Sequence, residues 1–272
     1  MIVYKYLHPD RIDVLEKCLI RFTQPAALND PFETLPDFTA YRESIRESIT
    51  ERRLPEHKNV LDQFGVNDAM IADGALANIG VLLSRHFGIL SLSRCREQIL
   101  MWSHYADSHR GFVIGFDSED PFFSASTGTA IGGLKEVRYS DSRALLPSDG
   151  LKSLNAGELN VWNDNIFFTK SIEWKYEQEM RILAQPTLAD VRIPLETGID
   201  ICLYRFQPAA VREIIAGAKC SENMLMTLLR TWIDRFPAAE MFNSSISRSS
   251  FSIDLKSIRR EKAVQLLAPC DK

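Results

Sequence analysis

Hydrophobic positions along this chain recur mostly at a spacing of two, in short runs, with a few longer stretches at helical spacing. Ile2 to Leu7 is a short β-like run ended by His8-Pro9-Asp10, and Ile12, Leu15, Cys18 and Leu19 follow at the spacing of a helix face. Ile20-Arg21-Phe22-Thr23 alternates as a second strand. Residues 36–87 differ in texture. Phe38, Tyr41, Ile45 and Ile49 fall on one helix face, and Asn67-Asp68 opens a further apolar stretch through Leu82. This region therefore reads as a helical insertion between strands. Gly88 to Ser93 is extended, with Ser91 and Ser93 on one side and Leu90 and Leu92 on the other. Ile99 to Ala106 reads as a short helix stopped near Gly111, and Phe112 to Asp117 as a strand apolar on both faces. Leu134 to Ser140 alternates, and residues 158–170 have helical spacing. Strands are expected at 191–195, 202–206, 212–217, 239–243 and 251–255, with an amphipathic helix over 222–236. Strands and helices do not alternate regularly. Neither Gly-x-Gly-x-x-Gly nor Gly-x-x-x-x-Gly-Lys occurs. The expected fold is α+β: one domain over 1–272, with a mixed, mostly antiparallel sheet and a helical insertion at about 36–87.

The stretch from Glu173 to Leu183 concentrates the chemistry. A period of two puts Glu177, Glu179 and Arg181 on one face of a strand, and Gln178, Met180, Ile182 and Ala184 on the other. Two carboxylates on one face repel unless a cation compensates, and Arg181 shares their side, with Lys170 and Lys175 nearby in sequence. One reading is a solvated edge strand carrying a surface ion pair. The other is an active-site strand whose acids face a cleft beside Trp174 and Tyr176. The proline-punctuated loop Gln24 to Glu33 is either plain turn chemistry or a lip over a ligand pocket.

Composition changes this picture little. The 272 residues are 45% hydrophobic and 25% charged with a net charge of -4, ordinary globular values that give no global case for nucleic-acid binding. Five scattered cysteines without a Cys-x-x-Cys pair argue against a disulfide framework or a cysteine zinc site. His104 and His109 are five apart, not the four that stacks ligands on a helix, so no metal site is expected. The first residues lack the pattern of a signal peptide, and no apolar run approaches the roughly 20 residues a bilayer requires. The expectation is a cytoplasmic protein that does not meet a membrane.

Four stretches carry a family resemblance: Tyr4-Lys5-Tyr6; Leu28-Asn29-Asp30-Pro31-Phe32-Glu33; Leu100 to Asp107; and Lys170 with Trp174-x-Tyr176-Glu177-x-Glu179-x-Arg181. Together they resemble a widespread bacterial domain family of unknown function, related in pattern to abortive-infection proteins. The resemblance covers roughly residues 2–255. A second resemblance rests on the order of the opening strand, a Ser-x-Ser strand after a helical insertion and a late Glu-x-Glu strand. It is similar to the ADP-ribosyltransferase fold, including DarT-type enzymes that modify nucleic acid, although Lys5 stands where a histidine belongs. What that resemblance implies is an NAD-consuming transferase or glycohydrolase, a toxin or phage-defence effector with NAD as substrate. It implies a protein or nucleic-acid acceptor and an antitoxin or regulatory partner. Glu179 would stabilise the developing oxocarbenium charge and Glu177 would orient or deprotonate the acceptor. Tyr4 and Tyr6, Ser91 and Ser93, and Trp102, His104 and Tyr105 would hold the NAD, with Arg110, Lys170 and Arg181 toward its pyrophosphate. Asn29, Asp30, Phe32 and Glu33 would form the substrate loop. The alternatives left open are a metal-independent hydrolase or nuclease using His104 or His109 with Glu179, and a non-catalytic binding domain.

Overall fold

A computed structural model describes residues 1–37, 70, 74, 79–124, 130–144 and 164–268. The fold is α+β. Among the described residues the backbone is an eight-stranded sheet with helices and a small second sheet packed on it. The strands are β1 (Ile2–Leu7), β2 (Leu19–Phe22), β3 (Gly88–Ser93), β4 (Phe112–Asp117), β5 (Ala130–Glu136), β6 (Arg138–Ser140), β7 (Thr169–Ser171), β8 (Glu179–Ala184), β9 (Val191–Ile193), β10 (Ile201–Arg205), β11 (Val211–Ala216), β12 (Glu240–Ile246) and β13 (Ile253–Ile258). The α-helices are α1 (Asp13–Lys17), α2 (Ile79–Ser84), α3 (Ile99–Tyr105), α4 (Glu222–Arg235) and α5 (Arg260–Leu267). The large sheet runs β13-β12-β11-β4-β1-β3-β8-β5, antiparallel except where β11 meets β12. A second sheet runs β2-β10-β9, and β6 and β7 form a parallel pair.

The alternation along each strand divides two cores. Val3, Leu7, Leu90, Leu92, Ile114, Met180 and Ile182 pack with Val14 and Leu15 of α1, Trp232 of α4 and Tyr204 of β10. On the other face Tyr4, Tyr6, Val113 and Ile215 pack with Met101 and Trp102 of α3. Farther along that face, Ile89 and Leu183 pack with Phe167 and Phe168. The β1 strand follows β4 through six residue pairs but meets β3 only at Tyr4–Ser93, so β1 and β3 splay. Lys5 spans the gap, its Nζ donating to the Ser91 carbonyl at 2.9 Å.

The turn after α3 is tight enough to demand one glycine. Asp107, Ser108 and His109 all have positive φ, and a Cβ on Gly111 would lie 2.0 Å from the Leu7 carbonyl oxygen.

Several expectations need correction. The stretch 173–183 is not one strand. Ile172–Glu177 is a 3₁₀ helix, Gln178 is left-handed at φ 45°, and the strand starts only at Glu179. Residues 134–140 break at Val137 into β5 and β6. Residues 164–167 are helical, as expected there, but 169–171 form β7. The helix α5 lies beyond the last element the periodicity indicated. Of the insertion at about 36–87, most falls outside the described residues; α2 is its described end.

Candidate active site

The β8 strand places Glu179 and Arg181 on the sheet face opposite Met180 and Ile182. Each is opposite a serine of β3, Glu179 paired with Ser93 and Arg181 with Ser91. The 3₁₀ helix just before it has three residues per turn, which eclipses Trp174 and Glu177 on one side. Both meet Lys170 of β7: its Nζ lies 4.8 Å from the Trp174 ring centre and 2.6 Å from Glu177 Oε2. The loop after β2 brings in Glu33.

The result is a buried ionic cluster. Lys170 Nζ also reaches Glu33 Oε1 at 3.0 Å and Glu179 Oε2 at 3.2 Å. Three carboxylates therefore converge on the one lysine ammonium. Arg181, with 0% exposure, forks onto Glu179 from Nε (2.7 Å) and Nη2 (3.0 Å), donates to the Phe167 carbonyl (2.7 Å) and bonds Glu33 through Nη2. The Ser91 side chain also helps to hold the Glu179 carboxyl low. The Glu179 backbone N–H donates to the Tyr139 hydroxyl at 2.8 Å.

Environment separates the two glutamates that the sequence left equivalent. Burial works to raise the Glu179 carboxyl, but Arg181 and then Lys170 outweigh it and hold it well below the usual range. Burial likewise raises Glu177, and there it wins: Lys170 opposes it, while the neighbouring Glu179 charge adds to it. Glu177 Oε1 accepts from the Tyr105 hydroxyl at 2.5 Å, and Asn29 Nδ2 donates to that hydroxyl at 3.3 Å. Around this end stand half-buried Trp174 and Tyr176 and exposed His104, with ring centres of neighbours 6.0–6.4 Å apart. Burial and then the attraction of Glu179 act in opposite senses on Lys5, whose amine is brought down to about 8. A cavity of about 240 Å³ adjoins the cluster, walled by Glu33 and Lys170 together with Asp30, Phe32, Ser142 and Arg143.

Residues 101–182 match the family described as Protein of unknown function (DUF2971). This agrees with the resemblance to a bacterial family of unknown function. The DUF2971 stretch runs from α3 to β8 and contains Tyr105, Lys170, Glu177, Glu179 and Arg181. Lys5 and the Leu28 to Glu33 loop lie outside it and reach the same cluster through the fold. No curated protein and no solved structure matches the chain.

The fold brings together Asn29, Glu33, Ser91, Tyr105, Lys170, Glu177, Glu179 and Arg181. Several other candidates have different surroundings. Trp102 is fully buried: Tyr6 meets it edge-on, His109 stacks on it, and its Nε1 donates to the Arg96 carbonyl. Tyr4 and Tyr6 belong to that same core, with the Tyr6 hydroxyl on the Cys95 carbonyl. Ser93 is fully buried and ties the Glu177 carbonyl (2.7 Å) to the Cys95 turn. These four shape the site from behind. Among the described residues no contact joins Arg110 to the cluster; it pairs with Asp107. Asp30 is buried and closes its own loop on the Phe32 N–H, and the exposed Phe32 ring lies under the Arg143 guanidinium. Sequence reasoning missed Tyr139 and the position of Lys5. Both enter through strand pairings between distant segments, which leave no local signal.

Among the described residues no helix is long and apolar enough to cross a membrane.

Proposed function

We propose that this chain consumes NAD, as an ADP-ribosyltransferase or NAD glycohydrolase, with Glu177 as its reacting carboxylate. The observation that carries the reading is the setting of Glu177: a buried acid resisting ionisation, aimed by Tyr105 and Lys170, at the edge of an aromatic cluster. Glu179 is less suited to that part. The Arg181 guanidinium forks onto both its oxygens and Lys170 adds a second cation, whereas Glu177 meets one ammonium and one phenol, so Glu179 acts as the anchor of the cluster. The three strands behind the ADP-ribosyltransferase resemblance are also consecutive neighbours, β1-β3-β8.

In this reading the bond from ribose C1′ to the nicotinamide nitrogen breaks, and nicotinamide leaves with the bonding pair. The cation that develops on the ribose is stabilised by the Glu177 charge. A water or acceptor hydroxyl adds at C1′, and its proton passes to Glu177. Trp174, Tyr176 and His104 offer surfaces for a flat ring. The adjoining cavity is smaller than the roughly 300–1,000 Å³ of a typical ligand cleft, so it suits one end of a dinucleotide. A toxin or defence effector with a macromolecular acceptor, acting in the cytoplasm, is the setting this chemistry fits.

The test is incubation with NAD and detection of free nicotinamide. The wild-type protein should release it, and Glu177→Gln should be slower by about 10²-fold or more with an unchanged circular dichroism spectrum. No release by the wild type, or equal release by the variant, would overturn the reading.

A further inference from the structure

The two strands β12 and β13 form an antiparallel hairpin whose turn reads Ser247-Arg248-Ser249-Ser250-Phe251-Ser252. The Ser247 N–H closes it on the Ser252 carbonyl at 3.0 Å. Beneath it lies a cavity of about 500 Å³, twice the size of the one beside the ionic cluster and inside the range of ligand clefts. Its other wall is formed by Ile99 at the start of α3 and His109 in the turn that follows the helix.

The lining has a definite chemistry. Ile99, Ile246, Phe251 and Ile253 make it largely apolar, with Ile246 and Phe251 exposed to solvent. Such exposed apolar side chains grouped about one concavity mark a binding surface more often than isolated ones do. The charged members are Lys219 and Arg248, and no aspartate or glutamate lines the cavity. Among the described residues neither cation forms an ion pair. His109 adds a buried Nδ1 with no hydrogen-bond partner, while its Nε2 lies 3.4 Å from the Ser103 hydroxyl. Burial, and then Lys219, push this imidazole below its ordinary pKa, which disfavours a third positive charge in the lining.

We propose that this cavity is a binding site for a small amphipathic anion, an aliphatic or aromatic carboxylate, with its apolar body against Ile99, Ile246, Phe251 and Ile253 and its charge toward Lys219 and Arg248. An apolar neutral molecule would leave two cations unanswered, and an amphipathic cation would meet repulsion from both. The proposal is independent of NAD cleavage.

Isothermal titration of the whole protein with octanoate, octanol and octylamine tests it. Octanoate should bind saturably at one site, octanol about tenfold more weakly, and octylamine not at all. Lys219→Ala with Arg248→Ala should weaken octanoate by about tenfold and leave octanol unchanged; both residues are exposed, so the variant should fold. Phe251→Ser should weaken octanoate and octanol together. Absence of saturable octanoate binding, equal binding of octanol, or undiminished binding by the double variant would overturn the proposal. None of these outcomes depends on whether nicotinamide is released from NAD.

Discussion

At the scale of single residues, the difference between Glu177 and Glu179 makes predictions that their sequence positions do not. The Tyr105 hydroxyl donates to Glu177 and so favours its charged form. Removing it in Tyr105→Phe should lift the Glu177 pKa farther above its ordinary value, because a hydrogen bond that favours the charged form is lost. If the ionised acid is the working form, the rising limb of the pH–activity profile should move to higher pH; an unmoved limb would separate Tyr105 from the chemistry. Arg181 has the opposite character. Its guanidinium meets two carboxylates and a carbonyl in full burial, a set that a lysine ammonium cannot span. Arg181→Lys should therefore cost about 3 kcal/mol in urea unfolding, because it leaves buried carboxylates undercompensated. A stability loss below about 1 kcal/mol would mean that the cluster relaxes around the substitution.

At the scale of elements, the turn from the 3₁₀ helix into β8 is the hinge on which the site depends. Gln178 is exposed and left-handed, and its N–H closes on the Lys175 carbonyl. A β-branched side chain fits that conformation poorly, so Gln178→Val should destabilise by about 1–2 kcal/mol, whereas Gln178→Gly should stay within about 0.5 kcal/mol of wild type. Thermal melting of the pair decides it, and equal melting temperatures would contradict the strained geometry. This element was also where the sequence misled. Glu177, Glu179 and Arg181 do share a site, as alternation suggested, but through a 3₁₀ helix followed by a strand. Local patterning over so short a run does not reveal the change from three residues per turn to a strand at the left-handed Gln178, after which Glu177 and Glu179 still meet on Lys170.

At the scale of the molecule, the ionic cluster ties together segments far apart in sequence: the loop at Glu33, β3, β7, the 3₁₀ helix and β8. Its contribution should vary with pH in a definite sense. The folded state holds the Glu179 carboxyl below its ordinary 4.5, so the stabilisation is fully present above that value and is lost as pH falls through and below it. Glu179→Gln should therefore be less stable than wild type by about 3–5 kcal/mol at pH 7, with the gap narrowing below about pH 4. Denaturant unfolding at a series of pH values measures this, and a gap constant across pH would show that Glu179 acts by shape and not by charge.

The sequence by itself determined the fold class, most strand positions and the residue types of the site. Those follow from alternation, helical spacing and turn residues, which are local properties of the chain. It also marked Glu33, Lys170, Glu177, Glu179 and Arg181 as members of one chemistry. It did not determine which glutamate the Arg181 fork holds, or that Trp102, Tyr4 and Tyr6 are core. Those depend on how deeply each side chain is buried and on which cation meets which carboxylate. Burial, and the partners Glu33 and Tyr105 that come from far along the chain, are set by the packing of segments distant in sequence, and which carboxylate each nearby cation meets follows from that packing, so only the tertiary structure decided them.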